Sequence, residues 1–137
     1  MRLVLTFAIA VILFSFGCRK PGEGSKTPPE HPTIVGIWQL TEYLVDPGNG
    51  IRTWQKADPA HPLYIGFTPN GELSFNTTMK EFDHYEKLSD STIRFTSTAG
   101  VTQPVTMRYV FTPQRLTLLP PCIEGCEYVY KPVFFYD

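Results

Sequence analysis

From Ile34 onward the chain alternates apolar and polar residues with a period of two, as strands with one buried face do. In LYIGF, Leu63, Ile65 and Phe67 fall on one face, and after TPNG the alternation resumes in ELSFNT with Leu73 and Phe75 inward. TIRFTS sets Ile93 and Phe95 against Thr92, Arg94 and Thr96, and VTMRYVF sets Val105, Met107, Tyr109 and Phe111 against Thr106 and Arg108. The same reading predicts strands in IVGIWQLTEYLV, IRTWQKA, FDHYEKL, RLTLL and EYVYKPVFFY. Between them stand DPGNG, TPNG, SDS, TPQ and PPCIEGC. Pro47 presets φ, while Gly48, Asn49 and Gly50 tolerate positive φ. The Asn-Gly pair of TPNG is a strong hairpin signal.

These connections leave no room for crossover helices. The pattern therefore predicts an all-β domain, an antiparallel up-and-down meander of about eight strands, which closes into a small barrel and so hides its edges. Richness in Thr, Tyr, Phe and Val over Ala in the same region agrees with strands. Trp38, Phe67, Phe75, Phe95, Tyr109 and Phe111 are expected inward. An eight-stranded barrel is either filled by its own side chains or holds one small ligand, and the alternation is compatible with both.

Before Ile34 the pattern changes. Met1 and Arg2 precede an apolar run, Leu3 to Phe16, that ends at Gly17, the layout of an export signal. At about 1.5 Å per residue the run spans roughly 21 Å as a helix, short of the ~30 Å hydrocarbon core of a bilayer. A transmembrane anchor is the weaker reading. Ser15, Phe16, Gly17 and Cys18 stand where bacterial lipoprotein precursors carry the lipobox, and this stretch resembles that class. Gly17 fits the pattern, and Ser15 and Phe16 depart from it. The resemblance implies cleavage before Cys18 and acylation of that cysteine, hence stable attachment to a membrane. A signal cut elsewhere would leave Cys18 a stray thiol. The following RKPGEGSKTPPEHP has nothing to bury and reads as a flexible tether holding the domain roughly 20 Å from the anchor. The expected organisation is a signal peptide over 1–17, a lipidated Cys18 with its tether over 18–33, and one domain over 34–137. Basic Arg19 and Lys20 after the cysteine favour a periplasm-facing lipoprotein of the cell envelope, most simply on the outer membrane.

Residues 34–137 carry eight Lys and Arg against eleven Asp and Glu, with no basic stripe, which argues against nucleic-acid binding. Gly36, Ile37 and Trp38 form G-x-W on the first strand. Together with the DPGNG turn, the NG hairpin and the PPCIEGC loop, this resembles the lipocalin-like family of small β-barrels, in particular short lipocalin-like bacterial lipoproteins. The resemblance implies a structural role for Gly36 and Trp38 at one end of the barrel, with the indole beneath a basic residue such as Lys131 or Arg115. It also implies a ligand held inside the barrel.

Cys122 and Cys126 flank a short loop in which Gly125 permits a sharp turn, and export to an oxidising compartment favours a disulfide between them. C-x-x-x-C spacing beside acidic Glu124 and Glu127 argues against a reactive thiol pair, and no nearby histidine completes a zinc site. His31 lies in the tether and His61 in DPAHP. His84 neighbours Asp83 and Glu86, but on a strand Asp83 and His84 point to opposite faces and are not expected to cooperate. Asp46 and Asn49 are too few oxygens for calcium and read as turn residues. No nucleophile, phosphate-loop or metalloprotease motif occurs in the sequence. The expectation is a non-enzymatic module with no cofactor and no metal, binding a small apolar or amphipathic ligand. The alternative is an accessory protein of an envelope complex that works through its surface, with Trp54 and the FFY terminus as contacts.

Overall fold

The computed structural model describes residues 33–46, 48, 50–100, 102–122 and 126–136. The expected signal segment, Cys18 and all of the tether but Thr33 lie outside them, as do Asn49, Glu124 and Gly125. Among the described residues there are nine strands and no helix: β1 (Gly36–Val45), β2 (Thr53–Lys56), β3 (Tyr64–Phe67), β4 (Leu73–Ser74), β5 (His84–Lys87), β6 (Thr92–Thr96), β7 (Val105–Thr112), β8 (Arg115–Leu119) and β9 (Glu127–Phe135).

All pairings are antiparallel, in the order β4-β3-β1-β9-β8-β7-β6-β5. The two ends of this path meet through the Glu72–His84 bridge. There the Leu73 N–H donates to the Asp83 carbonyl and the Tyr85 N–H to the Gly71 carbonyl, both at 2.8 Å. The result is an eight-stranded antiparallel meander in a nearly closed barrel, as the alternation predicts. β2 is not one of its staves. It pairs with the second half of β1, Glu42 to Val45, while β3 pairs with the first half, Gly36 to Gln39. The segment between them steps along β1, with the Ala57 N–H donating to Thr41 O and the Leu40 N–H to Leu63 O, both at 2.8 Å.

Side chains fill the barrel. Trp38, Ile65, Phe67, Ile93, Phe95, Leu116, Leu118, Tyr130 and Phe135 are all essentially without solvent contact, with Met107 and Tyr109 beside them. Each such side chain contributes about 1.5–3 kcal/mol by leaving water. Val105 and Phe111 are half-buried. Phe75 corrects the sequence reading: it is 62% exposed. Its φ of 49° breaks the pleat directly after two-residue β4, and alternation no longer dictates its side. Leu63, at the end of a loop instead of on a strand, is likewise exposed. The chain then folds over residues 75–83 into a plug. Asn76 donates through Nδ2 to the carbonyls of Met79 and Phe82 and accepts the Met79 N–H, and Met79 and Phe82 bury their side chains in the core.

The strands run between two unlike ends. At one, the chain enters at Ile34 beside the tight β3–β4, β5–β6 and β7–β8 turns and the end of β9. At the other lie the β1–β2 hairpin and the longer loops with residues 57–63, 75–83, 97–100, 102–104 and 120–122. This second end is the mouth.

Candidate functional site

A cleft of about 450 Å³ opens at the mouth. Leu40, Tyr43 and Val45 of β1 form one wall, and Tyr128 at the start of β9 joins it through the Tyr43–Tyr128 strand pair. The β2–β3 loop supplies Ala57, Asp58, His61 and Leu63, and the plug supplies Thr77 and Thr78. Tyr43, Ala57 and Tyr128 pack on the core, so the apolar lining is continuous with the filled interior beneath.

The polar groups around this lining are already oriented. Thr77 Oγ1 accepts the Tyr64 N–H at 2.5 Å and donates to the Tyr64 carbonyl at 3.0 Å, fixing the plug to β3. The buried Tyr130 hydroxyl donates to Thr78 Oγ1 at 3.2 Å, leaving the Thr78 hydroxyl hydrogen to point elsewhere. Burial pushes the Tyr130 phenol far above its ordinary value. At the rim His61 Nδ1 lies 2.8 Å from Asp58 Oδ2, and the Ala60 N–H donates to Asp58 Oδ1 at 2.9 Å. These contacts hold the Asp58 carboxyl below its usual range. Tyr43 donates its hydroxyl hydrogen to Gln55 Oε1 of β2 at 3.1 Å, which props the hairpin against the cleft wall.

The residues singled out from sequence fall elsewhere. Trp38 sits at the other end, its Nε1–H donating to the Ile34 carbonyl at 2.8 Å. Its ring meets the edges of Phe111 and Phe135 at centroid distances of 5.9 and 5.7 Å. Lys131 and Arg115, the cations expected over the indole, are both exposed, and Arg115 Nε donates to Thr117 Oγ1 at 3.4 Å. Gly36 passes so close to β9 that a Cβ would collide with the Phe134 carbonyl oxygen. Cys122 and Cys126 are paired at disulfide distance, with Cα atoms 5.9 Å apart, in the loop joining β8 to β9. Asp46 accepts the Gly48 and Gly50 N–H groups at 2.9 and 3.1 Å, the role of a turn residue.

Asp83 and His84 do cooperate, contrary to the expectation from strand alternation. Asp83 lies just ahead of β5, where alternation does not hold, and its Oδ1 is 2.9 Å from His84 Nδ1. The same carboxylate accepts the Thr98 N–H at 2.9 Å and the Thr98 hydroxyl. Thr98 foremost, and His84 after it, lower the Asp83 carboxyl to about 2. The Thr98 hydroxyl donates to the carboxylate and not to the imidazole, so the trio lacks the relay of a nucleophile and its base. It clasps the β6–β7 loop to the start of β5. Among the described residues no three His, Cys, Asp or Glu side chains gather to hold a metal ion.

Sequence reasoning missed the cleft because its lining comes from four separate stretches, none carrying a motif. The one available signal was tyrosine at both Tyr43 and Tyr128, an amphipathic residue facing a half-open space. No protein-family model, no curated protein and no solved structure matches the chain.

Proposed function

We propose that this protein is a lipocalin-like lipoprotein of the cell envelope, anchored through acylated Cys18, whose barrel binds a small apolar or amphipathic ligand at its mouth without catalysing a reaction. The observation that carries the reading is the cleft of about 450 Å³ lined by Leu40, Tyr43, Val45, Leu63 and Tyr128. It falls within the roughly 300–1,000 Å³ of small-molecule sites and shares their apolar lining with a few placed polar groups. Because the deep interior is filled, the apolar part of the ligand sits between the β1 wall and the plug. A polar head reaches Thr78 and the Asp58–His61 rim. The export signal and lipobox resemblance supply the address.

Native mass spectrometry of the chain purified from the envelope of an expressing bacterium tests this. An added mass that leaves on denaturation, and that Ala57→Trp abolishes by filling the cleft, is the expected result. Retention of the same mass by Ala57→Trp places the ligand elsewhere, and a bare mass throughout removes the carrier reading. A second reading, an accessory that works through its outer wall, draws on exposed Phe75 and Val110, and a bare mass would turn attention to it.

A further inference from the structure

The β1–β2 hairpin beside the cleft has a surface unlike the rest of the mouth. All four residues of β2 are exposed, and Trp54 presents 48% of its surface to solvent and Ile51, at the tip, 65%. Exposed Arg52 and Lys56 alternate with them. Two neighbouring carboxylates are engaged locally, Asp46 by the Gly48 and Gly50 N–H groups and Asp58 by His61 and the Ala60 N–H, while Glu42 stands directly across from Lys56 on β1. What faces outward is thus an aromatic ring between two cations, with a branched aliphatic beside the first of them, the composition that settles at the boundary of an anionic bilayer.

The tether permits this contact although it joins the opposite end. From Cys18 to the first described residue there are about fifteen residues, which extend to roughly 50 Å. Ten-residue β1 runs roughly 33 Å from that end to the hairpin. The chain can therefore lie along the barrel wall and let the mouth reach the surface that holds the anchor.

We infer that the β1–β2 hairpin docks on the anionic lipid surface of the anchoring membrane, with Ile51 and Trp54 in the interfacial layer and Arg52 and Lys56 against headgroup phosphates. The inference rests on the reading of Cys18 as a lipidated anchor. Docked this way, the cleft lies with its rim beside the membrane. Tyr43 and Val45 of its wall share β1 with the hairpin and pair with Gln55 and Thr53 of β2.

The chain has two tryptophans, and Trp38 is fully buried, so the difference between the wild-type and Trp54→Phe spectra reports Trp54 alone. The full chain, matured in a Gram-negative host and reconstituted into phosphatidylethanolamine–phosphatidylglycerol vesicles, is compared with the same chain in detergent-free buffer after release of the tether by protease. On vesicles Trp54 emission should shift to the blue, lose its quenching by iodide and gain quenching by lipids brominated on the acyl chains. Arg52→Gln with Lys56→Gln should weaken the bromine quenching. Undiminished iodide quenching on vesicles that demonstrably hold the chain overturns the docking, and the hairpin is then left to a water-soluble partner. Intact mass of the same sample shows whether Cys18 carries acyl chains. A chain without them refutes the anchor, and an acylated chain with an aqueous Trp54 refutes only the docking.

Discussion

The indole N–H of Trp38 donates to the carbonyl of Ile34 four residues earlier, at 2.8 Å and out of reach of water. This bond closes the strand-entry end of the barrel: it ties the incoming chain to the ring that Phe111 and Phe135 clamp edge-on. Trp38→Phe keeps an aromatic ring but strands the buried carbonyl and opens a void. A loss of about 3 kcal/mol is expected, to be read from urea unfolding followed by far-ultraviolet circular dichroism. A loss below about 1 kcal/mol would mean that water or another donor replaces the indole.

Gly36, two residues before Trp38, is required by close approach. Its φ is 155°, and a Cβ would overlap the Phe134 carbonyl oxygen across the β1–β9 pair. Gly36→Ala should force these strands apart and cost about 1–3 kcal/mol. The amide exchange of Phe134 and Phe135 should accelerate while that of β6 and β7 stays unchanged. Uniform acceleration across the sheet would indicate global destabilisation without a local clash.

Much of this fold is legible in the sequence because one face of most strands is buried. Ile93 and Phe95, and Met107 and Tyr109, lie inward as their alternation demands. The errors lie where the pleat breaks. Phe75 follows a two-residue strand in a left-handed backbone conformation, and Asp83 precedes its strand by one residue. Local alternation also carries no information about which neighbour a strand chooses, so β2 and β3 sharing one edge of β1 was invisible. The cleft is harder still, since a void among Tyr43, Leu63, Thr78 and Tyr128 is a property of the assembled loops and not of any window of sequence.

The Asp83 clasp predicts a specific acid response. The carboxyl is held at about 2 against 3.8 for an ordinary aspartate, so the unfolded chain takes up the proton first as pH falls. The clasp therefore stabilises the fold fully above about pH 4 and is lost as pH falls towards 2. Exchange of the Thr98 amide, which donates to this carboxylate, should quicken through that window. Asp83→Asn should make Thr98 exchange independent of clasp protonation and flatten part of the acid decline in Tm. An unaltered pH profile in Asp83→Asn would assign the decline to other carboxylates.

Cys122 and Cys126 close a ring of five residues between β8 and β9. By the loop-entropy relation such a short ring contributes about 2 kcal/mol. Reduction, or the double Cys122→Ser and Cys126→Ser variant, should lower stability by about that amount and leave the barrel folded, because β8 and β9 keep their own pairing. Collapse of the near-ultraviolet spectrum on reduction would show that the bridge is required for the fold.

Tyr130 lets the core, the plug and the cleft be tested together. Its phenol is 1% exposed and donates to Thr78, whose side chain lines the cleft. Burial raises its pKa far above the ordinary 10.0, so the folded state keeps the neutral phenol while the unfolded chain ionises. Stability is therefore full below about pH 10 and falls as pH rises beyond it. Tyr130→Phe removes the ionisable group and also the bond to Thr78. At pH 7 the variant should be less stable by about 1 kcal/mol. The gap should narrow or reverse by pH 11, because the phenylalanine chain gains no charge on unfolding. Urea midpoints at the two pH values measure this crossing. Parallel curves would mean that Tyr130 ionises in the folded state, which requires water beneath the plug. In that case the space below Thr78 would be open to solvent instead of sealed by packed side chains, and the cleft would extend deeper into the barrel.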